Sequence, residues 1–173
     1  METRAATVTD ACALAGVHRA AAIARYSEIF PVDVAPPTLA QLTAEWDELV
    51  ARAAVALVAV ETGASGESVI GGIVIGVDAT VPTGWTLHRL YVRPDRWANG
   101  AGSMLHDAAL ASARDMGVRS LNLWVLAENV TARRFYERRG WRLVSGRVLH
   151  NDPSDIVDVL YEYRNGRSRD HRR

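Results

Sequence analysis

The sequence predicts an α/β fold: a mixed β-sheet, mostly antiparallel, with helices on both faces. Three observations lead there. Apolar runs at 55–60, 70–77 and 85–92 are separated by turns rich in Gly, Ser and Pro, which reads as an antiparallel meander. The third run enters a glycine-spaced loop and a helical pattern at 100–116, and another apolar strand follows at 121–126. That succession is one β-α-β crossover. Two more strand patterns, 141–149 and 156–163, complete the sheet.

Taken in order, residues 2–9 read as a first strand, and a helical pattern runs from Asp10, a candidate N-cap, to Ile29. Pro31, Pro36 and Pro37 break it into a loop over 30–38. A second helix over 39–53 carries Leu42, Trp46, Leu49 and Val50 on one side. The strands 55–60 and 70–77 form a hairpin with a long turn at 62–68, and a second turn at 78–84 leads to the strand 85–92. In the helix 100–116, Leu105, Ala108, Ala109, Ser112 and Met116 have core spacing, and Gly117 ends it. Asn129 is placed to cap a helix over 130–139 that stops at Gly140. The turn NDPSD separates the last two strands. Residues 1–163 read as one domain, and 164–173 as a basic, disordered tail.

Charge narrows the function. Among 173 residues, 20 acidic side chains balance 20 basic ones, so neither a nucleic-acid nor a membrane-surface field is expected. All the basic residues other than His are Arg; with no Lys, Schiff-base and Walker-type lysine chemistry is excluded. Cys12 alone forms no intramolecular disulfide and no Cys-rich metal site. No secretory signal or membrane-spanning run is evident, so the expectation is a soluble, cytoplasmic protein without a metal.

Two motifs carry the functional reading. LYVRPDRWANGAG (90–102) is a strand feeding a glycine-spaced loop that opens a helix, a natural seat for phosphate. NVTARRFYERRGW (129–141) follows one helix and one strand later. Together they resemble the GNAT superfamily of acetyl-CoA-dependent N-acetyltransferases. The resemblance implies the GNAT acyl-CoA N-acyltransferase fold over roughly 2–163 and acetyl transfer to a primary amine by direct attack in a ternary complex. The family pattern Arg/Gln-x-x-Gly-x-Gly/Ala falls on Trp97, Ala98, Asn99, Gly100, Ala101 and Gly102. Trp97 departs from it, so the pyrophosphate would rest on backbone N–H groups, with Arg93 or Arg96 as helpers or as solvated charges. By resemblance, the backbone of Leu90, Tyr91 and Val92 holds the pantetheine arm and the Val92 N–H polarises the thioester carbonyl. Ala98 to Gly102, Ser103 and Asn129 complete the cofactor set, and a homodimer is a family-level expectation.

The chemistry needs a neutral amine, stabilisation of charge on the carbonyl oxygen, and a proton for the departing thiolate. Tyr136 is the general-acid candidate, a phenol protonated at neutral pH; its alternative is a packed core aromatic. His88, which shares strand parity with Thr86, Leu90 and Val92 if no bulge intervenes, is the base candidate or a structural residue, with Glu61 or water as alternatives. Tyr26, Asp33, Glu45 and Asp155 are candidates to meet a cationic acceptor. Two rivals stand beside this reading. One is a GNAT-fold acyl-CoA-binding or regulatory module without turnover; the other is a nucleotide-binding Rossmann-like domain, with Leu105 at its third glycine position.

Overall fold

Alternating apolar positions form the strands first, and their two faces then dictate where the helices lie. The computed structural model describes residues 1–26, 35–64, 66–148 and 157–165. The end of the first predicted helix (27–29), Asp33, Asp155, the NDPSD turn and most of the tail lie outside the described residues.

Strand β1 (Glu2–Ala5) leads through a short 3-10 turn (Val8–Asp10) into α1 (Ala11–Tyr26), and α2 (Leu39–Arg52) follows. Strands β2 (Val55–Gly63), β3 (Gly66–Val77) and β4 (Trp85–Val92) make the meander. Then come α3 (Ala101–Asp115), β5 (Ser120–Leu126), α4 (Val130–Glu137), β6 (Arg142–Val148) and β7 (Val157–Arg164). The sheet order is β1-β2-β3-β4-β5-β7-β6, and only the β4–β5 pair is parallel. This is the mixed sheet with one crossover that the sequence predicts, not a doubly wound parallel sheet, so the Rossmann-like rival falls. No helix among the described residues is long and apolar enough to cross a membrane.

Four local readings are corrected. The first strand stops at Ala5, and Asp10, instead of capping α1, turns its carboxylate back to accept from Thr7 N–H at 2.8 Å and to pair with Arg4. That pairing holds the Asp10 carboxyl down at about 2. The long turn at 62–68 is a two-residue connection, since Gly63 pairs directly with Gly66. Met116 is 55% exposed; the buried side of α3 is Ala101, Leu105, His106, Ala109, Leu110 and Ala113. The fourth correction, a bulge in β4, bears on the site and is described there.

Each face of the sheet buries its own cluster. Ile73, Ile75, Leu87, Leu121 and Leu123 pack against Leu105 and Ala109 of α3 and, with Trp141, against α4. Val58, Val60 and Val74 on the other face pack against Leu14 of α1 and Leu42 and Trp46 of α2. Gly71 and Gly72 bring both helices close to the sheet's centre. A Cβ at Gly72 would sit 2.2 Å from Leu14, and one at Gly71 only 2.9 Å from the Tyr91 carbonyl and 3.1 Å from Leu105. Two adjacent glycines in β3 therefore let α1 and α3 clamp the strand next to β4 from opposite sides.

Candidate active site

The site begins as a gap in the sheet. Strands β4 and β5 pair only at Thr86 and Asn122. Asn122, fully buried, secures that end: its side-chain oxygen accepts from Thr83 N–H (3.1 Å), and its amide donates to the Tyr161 carbonyl (3.1 Å). Beyond it the two parallel strands part. Arg93 N–H donates to Ile70 O on β3 at 2.8 Å, so the preceding residue, Val92, turns its backbone groups to the opposite edge, into the gap. The Trp97 indole N–H donates to the Val92 carbonyl at 2.7 Å. Trp97 thus packs as a strut on the strand end rather than standing in for a polar phosphate ligand.

The parted strands open a cleft of about 380 Å³. Residues 90–92, Ala98, residues 100–103, Asn129 and Tyr136 line it, which gathers ten of the sequence-predicted positions in one place. Asn99 and His88 do not line it. Ala21 and Arg25 of α1 line it too, as do Phe135 and Tyr136 of α4, so the cleft reaches both faces of the sheet.

Its phosphate end is built of backbone. Ala98 (φ 64°) and Gly100 (φ 86°) both lie in the left-handed region, and Gly100 caps α3. Alternation of this kind turns successive N–H groups inward as an anion-binding concavity. The first helical hydrogen bond runs from Met104 N–H to Gly100 O at 3.0 Å. The N–H groups of Ala101, Gly102 and Ser103 consequently have no helical acceptor and point out of the N-terminus, where the dipole favours an anion. No carboxylate lines the cleft among the described residues. These features fit the pyrophosphate of a coenzyme A molecule.

The nearby arginines differ from expectation. Arg93 is held by Asp95 (2.6 Å), and Arg96 makes a two-oxygen contact with Glu61 (2.9 Å to each) and reaches Asp95 at 2.8 Å. Both are neutralised by carboxylates, and the same pairing commits Glu61 to Arg96 instead of to a base role. Arg25 was missed by sequence reasoning. Its guanidinium lies 4.7 Å from the centre of the Trp97 ring and donates to Thr131 Oγ1 at 3.2 Å.

On the α4 wall, Asn129 caps the helix by accepting from Ala132 N–H (3.1 Å) while also lining the cleft, so the capping and cofactor-facing readings are compatible. Tyr136 is 8% exposed, with Phe135 (5.3 Å) and Trp141 (5.7 Å) set edge-on to its ring. Trp141 is itself fixed, since its indole N–H donates to His106 Nε2 at 3.0 Å. His106 Nδ1–H in turn faces Asp107 at 2.8 Å, and burial keeps this imidazole's pKa below its ordinary value. The phenol is therefore carried on a rigid aromatic block.

The α2 side of β4 differs from the sequence reading. Val74 pairs with Arg89 and Ile75 with Leu87, which leaves His88 as the extra residue of a β-bulge. The bulge breaks the assumed parity: Leu87, Leu90 and Val92 pack with the α3 cluster, whereas His88 lies against Gly76 and lines a second cavity of about 450 Å³. Glu45, Glu48 and Arg89 share that cavity, with Glu45 paired to Arg89 at 3.3 Å. Burial, the largest influence, lowers the His88 pKa below 6.5, and Arg89 adds to it while Asp78 opposes it. A second histidine, His18 of α1, stacks on Tyr91 with ring centres 3.8 Å apart. Burial and Arg89 push its pKa down to about 4. The signal for His18 is its place on the buried stripe Ala11, Leu14, Ala15, His18 and Ala22.

Comparison with known proteins agrees with this geometry. Residues 20–141 match the model of the acetyltransferase (GNAT) family, a span that includes both sequence motifs. No curated protein matches the sequence. Among solved structures, the PaiA N-acetyltransferase of Thermoplasma acidophilum in complex with coenzyme A superimposes with a TM-score of 0.69 at 21% identity, over 95% of this chain and 98% of that one. The ribosomal-protein-alanine N-acetyltransferase of Brucella melitensis gives 0.74 at 18% identity, over 95% and 100%. YncA of Salmonella typhimurium, solved with acetyl-CoA, gives 0.71 at 16% identity, over 95% and 93%. At these identities the likeness is one of fold.

Proposed function

We propose, from the premise that this chain belongs to the acetyltransferase (GNAT) family, that it carries acetyl from acetyl-CoA to a primary amine of a small molecule or a peptide N-terminus by direct attack in a ternary complex. The single observation behind the reading is the opening of the sheet beyond Thr86 and Asn122, beside a loop that presents helix N–H groups. An interrupted parallel ladder leaves strand edges that do not pair with each other, and a ligand entering as a substitute strand would lie between them.

When bound, acetyl-CoA supplies an activated acetyl thioester. The N–H groups of residues 101–103 would hold its diphosphate, and the side of β4 at residues 90–92 that has parted from β5 would align the arm. The Val92 N–H, directed into the gap, stabilises negative charge that develops on the carbonyl oxygen. Tyr136 holds a proton at its phenol oxygen for the sulfur as the C–S bond breaks. A protonated amine with a pKa near 10 is neutral only about one time in a thousand at pH 7, so the nitrogen must lose a proton to attack. His88 is the proposed acceptor of that proton, directly or through water, for an amine entering from the α2 side. Its lowered pKa keeps it neutral at pH 7, and Glu45 and Glu48 line the same cavity and would attract a cation.

The test is thiol release from acetyl-CoA across small amines, polyamines, amino acids and peptide N-termini, with His88→Ala alongside. The expected result is turnover with at least one class, lost in His88→Ala while coenzyme A still binds. Coenzyme A binding without turnover on any amine would overturn the transferase reading, and full turnover in His88→Ala would return the proton to water alone.

A further inference from the structure

We infer that Arg25, delivered from α1, is the cation that reads the diphosphate of coenzyme A, taking the part that the loop's own side chains leave unfilled. The inference rests on the coenzyme A reading above and goes beyond it by naming a residue outside both motifs.

Three observations carry it. First, the loop's own cations are already ion-paired: Arg93 with Asp95, and Arg96, which also lines the cleft, with Glu61 and Asp95, while the head of the loop is Trp97. Second, Arg25 lines the cleft, and among the described residues no carboxylate pairs with it. Among the described residues its charge is therefore uncompensated, in the same cleft that residues 100–103 line. Third, the guanidinium is pre-positioned. It stacks 4.7 Å from the centre of the Trp97 ring, whose indole is pinned to the Val92 carbonyl, and it reaches Thr131 Oγ1 in the first turn of α4. A guanidinium has five N–H donors, so the bond to Thr131 leaves others for phosphate oxygens. Trp97 thus acts as a platform for a distant cation, and the α1-to-α4 bridge closes across the cleft beside the diphosphate.

The experiment is calorimetric titration of the full chain with coenzyme A, dephospho-coenzyme A and pantetheine, on wild type, Arg25→Gln, Arg25→Lys and Arg19→Gln. Arg19 is exposed on the same helix and does not line the cleft, so its variant controls for net charge. Loss of a charge-assisted bond predicts that Arg25→Gln weakens coenzyme A and dephospho-coenzyme A alike, by roughly 10- to 100-fold, because the diphosphate is common to both. Arg25→Lys falls between, since it keeps the charge but not the planar fork. Arg19→Gln stays close to wild type, and the pantetheine affinity of Arg25→Gln does too. Equal coenzyme A affinity in wild type and Arg25→Gln would overturn the assignment while leaving the cofactor reading intact. A loss confined to coenzyme A and absent with dephospho-coenzyme A would overturn the diphosphate and put Arg25 on the 3′-phosphate. Failure of wild type to bind any of the three would overturn the cofactor reading and this inference with it.

Discussion

The two ends of the seam between β4 and β5 are made of different material. At the closed end, Thr86 faces Asn122, and the Asn122 side chain bonds the backbone of Thr83 and Tyr161 in a fully buried setting. At the open end lie backbone N–H groups, a left-handed loop, and aromatic rings that brace each wall: Trp97 on Val92, His18 on Tyr91, and Trp141 beside Tyr136. One end is thus tied by a buried side chain, and the other is lined by rings around the parted strands.

Replacing Tyr136 at the open end has the largest expected effect. Tyr136→Phe retains the ring and removes the proton, so kcat for acetyl transfer falls by about 100-fold or more, the usual loss of a general acid. A steady-state assay with coenzyme A affinity measured in parallel separates this from a binding defect. Unchanged kcat would return Tyr136 to the core, where its contact with Trp141 already places part of the ring.

Next in size is an effect of pH on the α1 side of the open end. His18 titrates at about 4 when folded and near 6.5 when unfolded, so the unfolded chain binds more protons between those values. Stability therefore falls as pH drops from 6.5 toward 4, by up to about 3 kcal/mol at 1.4 kcal/mol per pKa unit. His18→Phe keeps the stack on Tyr91 and removes the titration, and urea midpoints measured across this window should be flatter than in wild type.

The closed end is tested by Asn122→Leu, which strands the Thr83 N–H and the Tyr161 carbonyl. Chemical denaturation should show a loss of about 1–3 kcal/mol, the cost of buried groups without partners. The smallest change concerns the loop. Ala98→Gly removes the left-handed strain of an alanine at φ 64°, but adds unfolded-state freedom, for a net gain of roughly 0.5–1 kcal/mol in thermal unfolding.

The same contrast explains what could be read from the chain. The loop and the α4 cap depend on local residues: Asn129 bonds three residues on, Gly100 heads α3, and Gly117 and Gly140 take left-handed φ of 84° and 86° just past α3 and α4. Local chemistry is written in adjacent letters, and it gave the succession of elements, whereas the seating of β7 between β5 and β6 depends on long-range pairing. Three features were not legible. The bulge at His88 arises from pairing with β3, which no local signal specifies, and it reversed the face on which His88 was expected. Arg93 and Arg96 were judged by their closeness to the loop, but Glu61, brought alongside by β2, claims Arg96. Arg25 meets the loop only because Gly72 admits Leu14 and lets α1 settle on the sheet.

Amide hydrogen exchange resolved by residue, with and without acetyl-CoA, tests the central claim most directly. If the opened seam is the acetyl-CoA site, the ligand slows exchange at Val92 and at residues 101–103, and leaves the β2–β3 ladder at 55–60 as it was. Unchanged exchange at Val92 and 101–103 under saturating acetyl-CoA, or protection confined to the His88 cavity, would contradict it.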